Sequence, residues 1–436
     1  MKNCTYSVPC VFPPRYRGDA PVAVSVPGSK SITNRALLLA TLARGTSVLD
    51  GVLFSDDSRC FLQCIQDLGF PAAADEQQKR ITVTGFGGRV PKRNASIYVG
   101  SAGTAARFLT AYLGISEGVY RLDASEQMRR RPMKPLLESL QSLGCEITYE
   151  EKPGHFPFTL KGNGFGPEEI SVDIGHSSQF LSALLISACL ADHTVKIHVE
   201  GTHGMSYIAM TESMMEQFGV KTARPSSSCF VIPGGQHYHA AAYQVEPDVS
   251  AACYFYAMAP LLGIPVLVRR VHFASLQGDV EFLRILETMG CILEDRADGI
   301  AVLPPKDGHY RGADVDMSSC SDQAITLAAI APFADSPTTI RGIGHIRYQE
   351  SDRMSAIASE LQKMGIVCKE TEDTLTIYPG TPHACLVDTY EDHRMAMGFS
   401  LIGLRAPGIV IDNPMCCKKT FETYFDVLKE VTDRLC

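Results

Sequence analysis

A repeat runs through this chain. An apolar residue followed by glycine returns as Leu68-Gly69, Leu143-Gly144, Phe218-Gly219, Met289-Gly290 and Met364-Gly365. The spacings between the glycines are 75, 75, 71 and 75 residues. Each pair closes an amphipathic stretch, where glycine accepts the left-handed backbone that ends a helix. Alternating segments follow each pair, such as Cys145–Tyr149 and Ile366–Glu370. A second strand-like segment then completes each copy: Ile81–Thr84, Phe158–Lys161, Phe230–Ile232, Ile300–Leu303 and Leu375–Tyr378. A fixed period of this length means a stacked or tandem architecture of like supersecondary units.

A second marker keeps phase with the first. Short polar turns precede apolar helical stretches at Gly28–Ser31, Gly100–Gly103, Gly175–Ser178, Pro247–Ser250, Ser321–Gln323 and Glu391–Arg394. Six units of about 70 residues therefore fill the chain. The first three turns are rich in Gly and Ser, and the last three carry Asp. This split predicts an α/β (α+β) fold of two similar domains with three units each. The first covers residues 28–246, and the second combines 1–27 with 247–436. The segment Val22–Val26 precedes the first turn and is expected to join the second domain. The most apolar helix, Phe180–Ala191, has the length of a buried core helix.

Composition bears on what such a chain binds. The net charge is −8, which disfavours nucleic acid as a partner and makes each basic residue count by its place. No apolar run reaches the ~18 residues of a membrane span. The 15 cysteines show no metal-ligand spacing, and the first residues lack the apolar core of a signal peptide. These features predict a cytoplasmic protein without metal or membrane partner.

The turns carry the chemistry. Six helix starts present backbone N–H groups and positive dipole ends, which suit anions. Lys30 and Arg35 add a point charge and a two-pronged clamp beside the first. Arg107 follows the second turn by four residues. Arg129, Arg130 and Arg131 form a basic run before another helix; a solvated charge run is its bland alternative. Arg353, Arg394, Lys418 and Lys419 supply cations in the second half. Glu350 and Asp322 stand among them as candidate proton carriers, with plain helix salt bridges as the alternative. The ligands expected are small and strongly anionic.

These motifs resemble those of the 5-enolpyruvylshikimate-3-phosphate synthase family. The matching segments are Pro27–Arg35, Ala102–Arg107, Arg131-Pro132, Ser177–Gln179, Asp322, Glu350–Arg353, Asp392–Met397 and Lys419–Phe421, in order from about Pro27 to Phe425. The resemblance implies two lobes of three βαβαββ units, joined by two crossing strands, with the active site in the interdomain cleft. It implies enolpyruvyl transfer from phosphoenolpyruvate to the 5-hydroxyl of shikimate 3-phosphate, a step toward chorismate and the aromatic amino acids. No cofactor or metal is needed, and a monomer inhibited by glyphosate is expected. By the same resemblance, Lys30, Ser31, Arg35, Ser177, Ser178, Gln179, Tyr207, Asp322 and Gln349 hold shikimate 3-phosphate. Lys30, Gly103, Arg131, Gln179, Arg353, Arg394 and Lys419 hold phosphoenolpyruvate. Asp322 and Glu350 move protons, helped by Lys30 and Lys419.

The chain departs from the family pattern at four places. Ser101 stands where many members have Asn, Gly204 where Ser is common, His345 where Asn is frequent and Gln349 where Lys is usual. A related transferase acting on UDP-N-acetylglucosamine is a poorer match, because its reactive-cysteine loop has no counterpart here. An anion-binding protein without activity would not need Glu350, Asp322, Lys30 and Lys419 together.

Overall fold

A computed structural model describes residues 4–16, 18 and 20–436. The chain divides into two compact units: Gly28–Val245, and Met1–Pro27 together with Glu246–Cys436. Glu246 sits with the second because its carboxylate accepts from Ser275 Oγ (2.6 Å) and Leu276 N (3.2 Å).

Each unit is built from small sheets of one pattern. In Gly28–Val245, one sheet runs Asn94–Tyr98, Gly118–Asp123, Phe158–Gly162, Glu146–Tyr149. The first two strands are parallel, and the remaining contacts are antiparallel. The sheet from Glu169–Asp173 to Ala223–Ser226 repeats this order. A parallel pair needs a helical crossover, whereas the closing antiparallel pair is a hairpin, giving βαβαββ. The third sheet takes its parallel edge strand, Ala242–Gln244, from the end of the unit and pairs it with Arg44–Asp50.

The second unit mirrors that arrangement. Its sheet of Val266–Arg269, Gly299–Leu303 and Ile292–Arg296 takes Val22–Val24 as its parallel edge. The early strand thus joins the late unit. A second sheet runs Asp314–Asp316, Thr338–Arg341, Leu375–Ile377, Cys368–Glu370. The sixth repeat differs. It pairs Cys385–Val387 with Ile409–Asp412 and completes the sheet with Thr5–Ser7 in place of its own hairpin.

The repeated glycines close helices as their spacing predicts. Gly69, Gly144, Gly219, Gly290 and Gly365 have φ of 95°, 94°, 95°, 111° and 79°. At each, the next residue's N–H reaches back to a carbonyl five residues earlier, as in Phe70 N to Ile65 O and Cys291 N to Leu286 O. The glycine's own N–H bonds three residues back, as in Gly69 N to Gln66 O. This pairing satisfies carbonyls that a helix end would otherwise leave open. The apolar helix runs Gln179–Ala188 rather than to Ala191, and it is buried from Phe180 onward.

Candidate active site

All six polar turns begin helices. Ser29 caps Lys30–Leu42, Asp248 caps Val249–Tyr256 and Asp392 caps His393–Arg405 through their side chains. Ala102 precedes Gly103–Gly114 and Ser178 precedes Gln179–Ala188, neither with a side-chain cap bond. Ser321–Gln323 forms a tight turn leading into Ala324–Ile330. The site residues expected from sequence fall into two sets, one in each unit.

In Gly28–Val245, the set gathers at these helix starts. A methyl built on Gly103 would lie 3.0 Å from Arg107 Nη1, 3.1 Å from Arg131 Nη1 and 3.2 Å from Gln179 Oε1. Gly103, Arg131 and Gln179 are therefore immediate neighbours. The run Arg129–Arg131 splits in its uses. Arg129 pairs with Asp123 and Glu151, and exposed Arg130 pairs with Glu126. Arg131 alone turns to Gly103. Lys30 is largely buried, with Nζ 3.8 Å from Asp57 Oδ2, so it is not a solvated surface charge. Arg35 is buried; its guanidinium donates to Thr211 Oγ1 (2.8 Å), Ser31 O (3.1 Å), Tyr207 O (3.3 Å) and Ser182 Oγ (3.4 Å). Burial pulls its pKa down to about 10, still charged at neutral pH. Ser177 Oγ accepts from Gln179 N at 3.3 Å. Gly204, in left-handed backbone (φ 65°), lets Ser178 approach: a Cβ there would sit 2.4 Å from Ser178 Oγ. Ser101 Oγ bonds Ser125 Oγ at 2.6 Å.

In the second unit, Arg353 is the hub. It is 1% exposed and meets three carboxylates: Asp392 (2.7 Å), Glu350 (2.9 Å) and Asp322 (3.0 Å). Burial opposes its charge, but Asp392, Glu350 and Asp322 outweigh burial and raise its pKa. Gln349 Oε1 also accepts from Arg353 Nη1. An ammonium there would face a guanidinium; the neutral amide accepts from it. Arg394 Nη2 bonds Asp322 Oδ2 at 2.7 Å, and Lys419 Nζ lies 3.3 Å from Glu350 Oε1. Asp322 and Glu350 thus each lie between two cations. His345 Nε2 meets Ser321 Oγ at 2.8 Å; burial holds the imidazole neutral, its pKa down to about 4 despite Asp322 nearby.

Several participants carried no distinctive sequence signal. Asp392 opens the Asp392–Met397 segment, yet its grip on Arg353 appears only in three dimensions. Tyr390 and Glu391, both with left-handed φ (53° and 55°), bend the chain into Asp392. Tyr390 OH donates to the buried carboxylate of Glu360 at 2.8 Å. Asp279, Ser250, Gln323 and Tyr254 back the Arg394–Asp322 pair. An acid at a helix start, as at Asp279, reads from sequence as an ordinary dipole partner.

Residues 18–428 match the family model described as EPSP synthase (3-phosphoshikimate 1-carboxyvinyltransferase). The chain belongs to this family. The 3-phosphoshikimate 1-carboxyvinyltransferase of Nostoc punctiforme is 44% identical over 403 residues, spanning 92% of this chain and 94% of its own. A relative from Halalkalibacterium halodurans, 3-phosphoshikimate 1-carboxyvinyltransferase 2, is 38% identical over 97% of this chain and 94% of its own. The solved EPSP synthase of Acinetobacter baumannii superposes with a TM-score of 0.80 at 25% identity, covering 99% of this chain and 98% of that one. The two-domain α/β fold and the transferase class follow from this membership.

Proposed function

We propose that the chain transfers the enolpyruvyl group of phosphoenolpyruvate to the 5-hydroxyl of shikimate 3-phosphate and releases phosphate. This is the family's step in the shikimate pathway. The observation that carries the reading is the buried cluster in which Arg353 joins Asp322, Glu350 and Asp392 while Arg394 and Lys419 flank the first two. A purely structural ion pair does not need two acids, each between two cations, on four separate chain segments.

In the proposed chemistry the 5-hydroxyl gives up its proton as its oxygen adds to C2 of phosphoenolpyruvate, and a proton adds to C3. Phosphate then leaves C2 as C3 gives up a proton. Glu350 and Asp322 carry these protons, assisted by Lys419 and Lys30. Arg131, Gln179 and the open helix start at Gly103 take the phosphoenolpyruvate anion, together with Lys30, Arg353, Arg394 and Lys419. Ser31, Ser177, Ser178, Gln179, Tyr207, Asp322 and Gln349 take shikimate 3-phosphate. Arg35 contributes charge and fixes Ser31 and Tyr207 through their carbonyls. Donors fixed by internal bonds stabilise the doubly phosphorylated intermediate without reorganising.

In this reading Gly28–Val245 is the shikimate 3-phosphate side, and the unit of Met1–Pro27 with Glu246–Cys436 carries the acid–base work. A monomeric, cytoplasmic enzyme is part of the same proposal. Among the described residues no helix is long and apolar enough to cross a membrane. The test is phosphate release from phosphoenolpyruvate with shikimate 3-phosphate, with UDP-N-acetylglucosamine, and with neither. Release with the first acceptor alone supports the reading. Release only with the second, or with none, defeats it.

A further inference from the structure

We propose that Asp279 is a positioning residue for the transfer: through Ser250 and Gln323 it fixes both members of the Arg394–Asp322 pair that the phosphoenolpyruvate side uses. The inference rests on the reading above that Arg394 serves phosphoenolpyruvate.

Asp279 is 3% exposed, at the tight turn Gly278–Val280. Burying a carboxylate is costly unless its oxygens are bonded. Here Oδ2 accepts from Ser250 Oγ at 2.7 Å and Oδ1 from Gln323 Nε2 at 3.1 Å. A serine hydroxyl has one proton. Because Ser250 gives it to Asp279, its lone pairs are left for the Arg394 Nη2 donor, 3.3 Å away. The carboxylate therefore dictates the sense of the bond that steers the guanidinium. Gln323 is fixed likewise. Its Oε1 accepts from Thr326 Oγ1 at 3.0 Å, so its amide N–H faces Asp279, and Gln323 is the residue after Asp322. One buried carboxylate thus orients Ser250 toward Arg394 and anchors Gln323, the residue next to Asp322, beside a 2.7 Å ion pair that it does not itself join.

The backbone is held to match. Gln277 Nε2 donates to Pro247 O at 2.8 Å, and Val249 N donates to Gln277 Oε1 at 3.0 Å. Residues 246–250 are clamped along residues 275–279, so Ser250 cannot drift from Asp279. This precision exceeds what a helix start requires, since Asp248 already caps that helix by accepting from Ala251 N.

The experiment measures kcat and both Michaelis constants for Asp279→Asn, Ser250→Ala, their double variant and Arg394→Lys, with thermal unfolding of each. Asp279→Asn and Ser250→Ala should each raise the phosphoenolpyruvate KM about 5- to 20-fold, the loss expected for one misdirected charge-assisted bond. The shikimate 3-phosphate KM should stay within about twofold. The double variant should be no worse than the weaker single one by more than about twofold, because both act along one path. If Asp279→Asn does not fold, Ser250→Ala alone decides. An unchanged phosphoenolpyruvate KM in Ser250→Ala overturns the proposal, as does an equal rise in both Michaelis constants or full additivity. Arg394→Lys separates the two levels: if it leaves the phosphoenolpyruvate KM unchanged, the reading of Arg394 itself has failed. If it raises that KM while the other variants do not, only the positioning role has failed.

Discussion

Replacing Gly103 by Ala adds one methyl group at the start of the helix Gly103–Gly114, and its effects on substrate and inhibitor should part company. The methyl would meet Arg107 Nη1 at 3.0 Å, Arg131 Nη1 at 3.1 Å and Gln179 Oε1 at 3.2 Å. All three are ends of flexible side chains, so they yield by a few tenths of an ångström. Gly103 is not among the positive-φ glycines, so Ala meets no backbone strain and gains up to about 1 kcal/mol of helix propensity. Folding should therefore survive intact. Displacing Arg131 and Gln179 weakens charge-assisted bonds to phosphoenolpyruvate by about 1 kcal/mol, or about fivefold in KM. Glyphosate, which the family resemblance implies is a longer competitor of phosphoenolpyruvate, is expected to meet the methyl directly. Overpacking of about 1–3 kcal/mol then adds to the loss, raising its inhibition constant at least about a further fivefold. The assay is steady-state phosphate release against phosphoenolpyruvate at fixed shikimate 3-phosphate and graded glyphosate. A ratio of inhibition constant to KM that is the same in parent and Gly103→Ala would overturn this expectation. So would a parent inhibition constant far above its KM.

Other outcomes follow from the two site sets. Lys419→Met should cut turnover at least about 100-fold while calorimetry still detects shikimate 3-phosphate binding; turnover within a few-fold of the parent would reduce Lys419 to a plain ion-pair partner of Glu350. Glu350→Gln keeps the shape against Arg353 but removes the proton carrier, so kcat should fall about 100- to 10,000-fold with the phosphoenolpyruvate KM changed far less; a pure KM effect would contradict the assignment. Cys416→Ala with Cys417→Ala should remain active, since burial pushes the Cys417 thiol well up and the chemistry uses no thiolate; a folded but inactive protein would count against this. His345 has its folded pKa held near 4 by burial, so from about pH 6.5 down to 4 the unfolded chain binds a proton the native one refuses, and stability falls by up to about 3 kcal/mol. Asp279, raised to about 6 chiefly by burial, works the other way: its contribution is present below about pH 4 and lost as pH rises through 6. His345→Asn should therefore flatten the acid-side loss in urea unfolding at pH 4 to 6.5; an identical slope in parent and variant would contradict it.

The glycine period and the polar turns made the repeat legible, because left-handed caps and helix starts are local decisions of the backbone. The same logic carried Val22–Val24 into the late sheet: a strand before the first turn has no parallel partner in its own unit. The sixth repeat escaped, because its third strand is Thr5–Ser7, supplied from nearly the whole chain away. At the site, charge and turn position singled out Lys30, Arg131, Glu350, Arg353 and Lys419. They did not show which of three consecutive arginines faces Gly103, since Asp123, Glu151 and Glu126 claim Arg129 and Arg130 only in space. Nor did they show that the guanidinium of Arg35 is engaged by internal acceptors. Ser250 belongs to a periodic turn and Asp279 is one acid among many, but neither fact shows their role; their weight comes from burial and from who donates to whom.

In the proposed mechanism a proton is delivered to C3 of phosphoenolpyruvate and later removed, with C–O bond formation between the two. The direct measurement is turnover in D2O, following the vinyl methylene by proton NMR and inorganic phosphate by phosphorus NMR. Deuterium should enter the methylene of the product, with phosphate released mole for mole, only when shikimate 3-phosphate is present. Glu350→Gln should slow both signals together. Phosphate and product appearing at the parental rate with no deuterium in the methylene would contradict it, because no proton would then have reached C3.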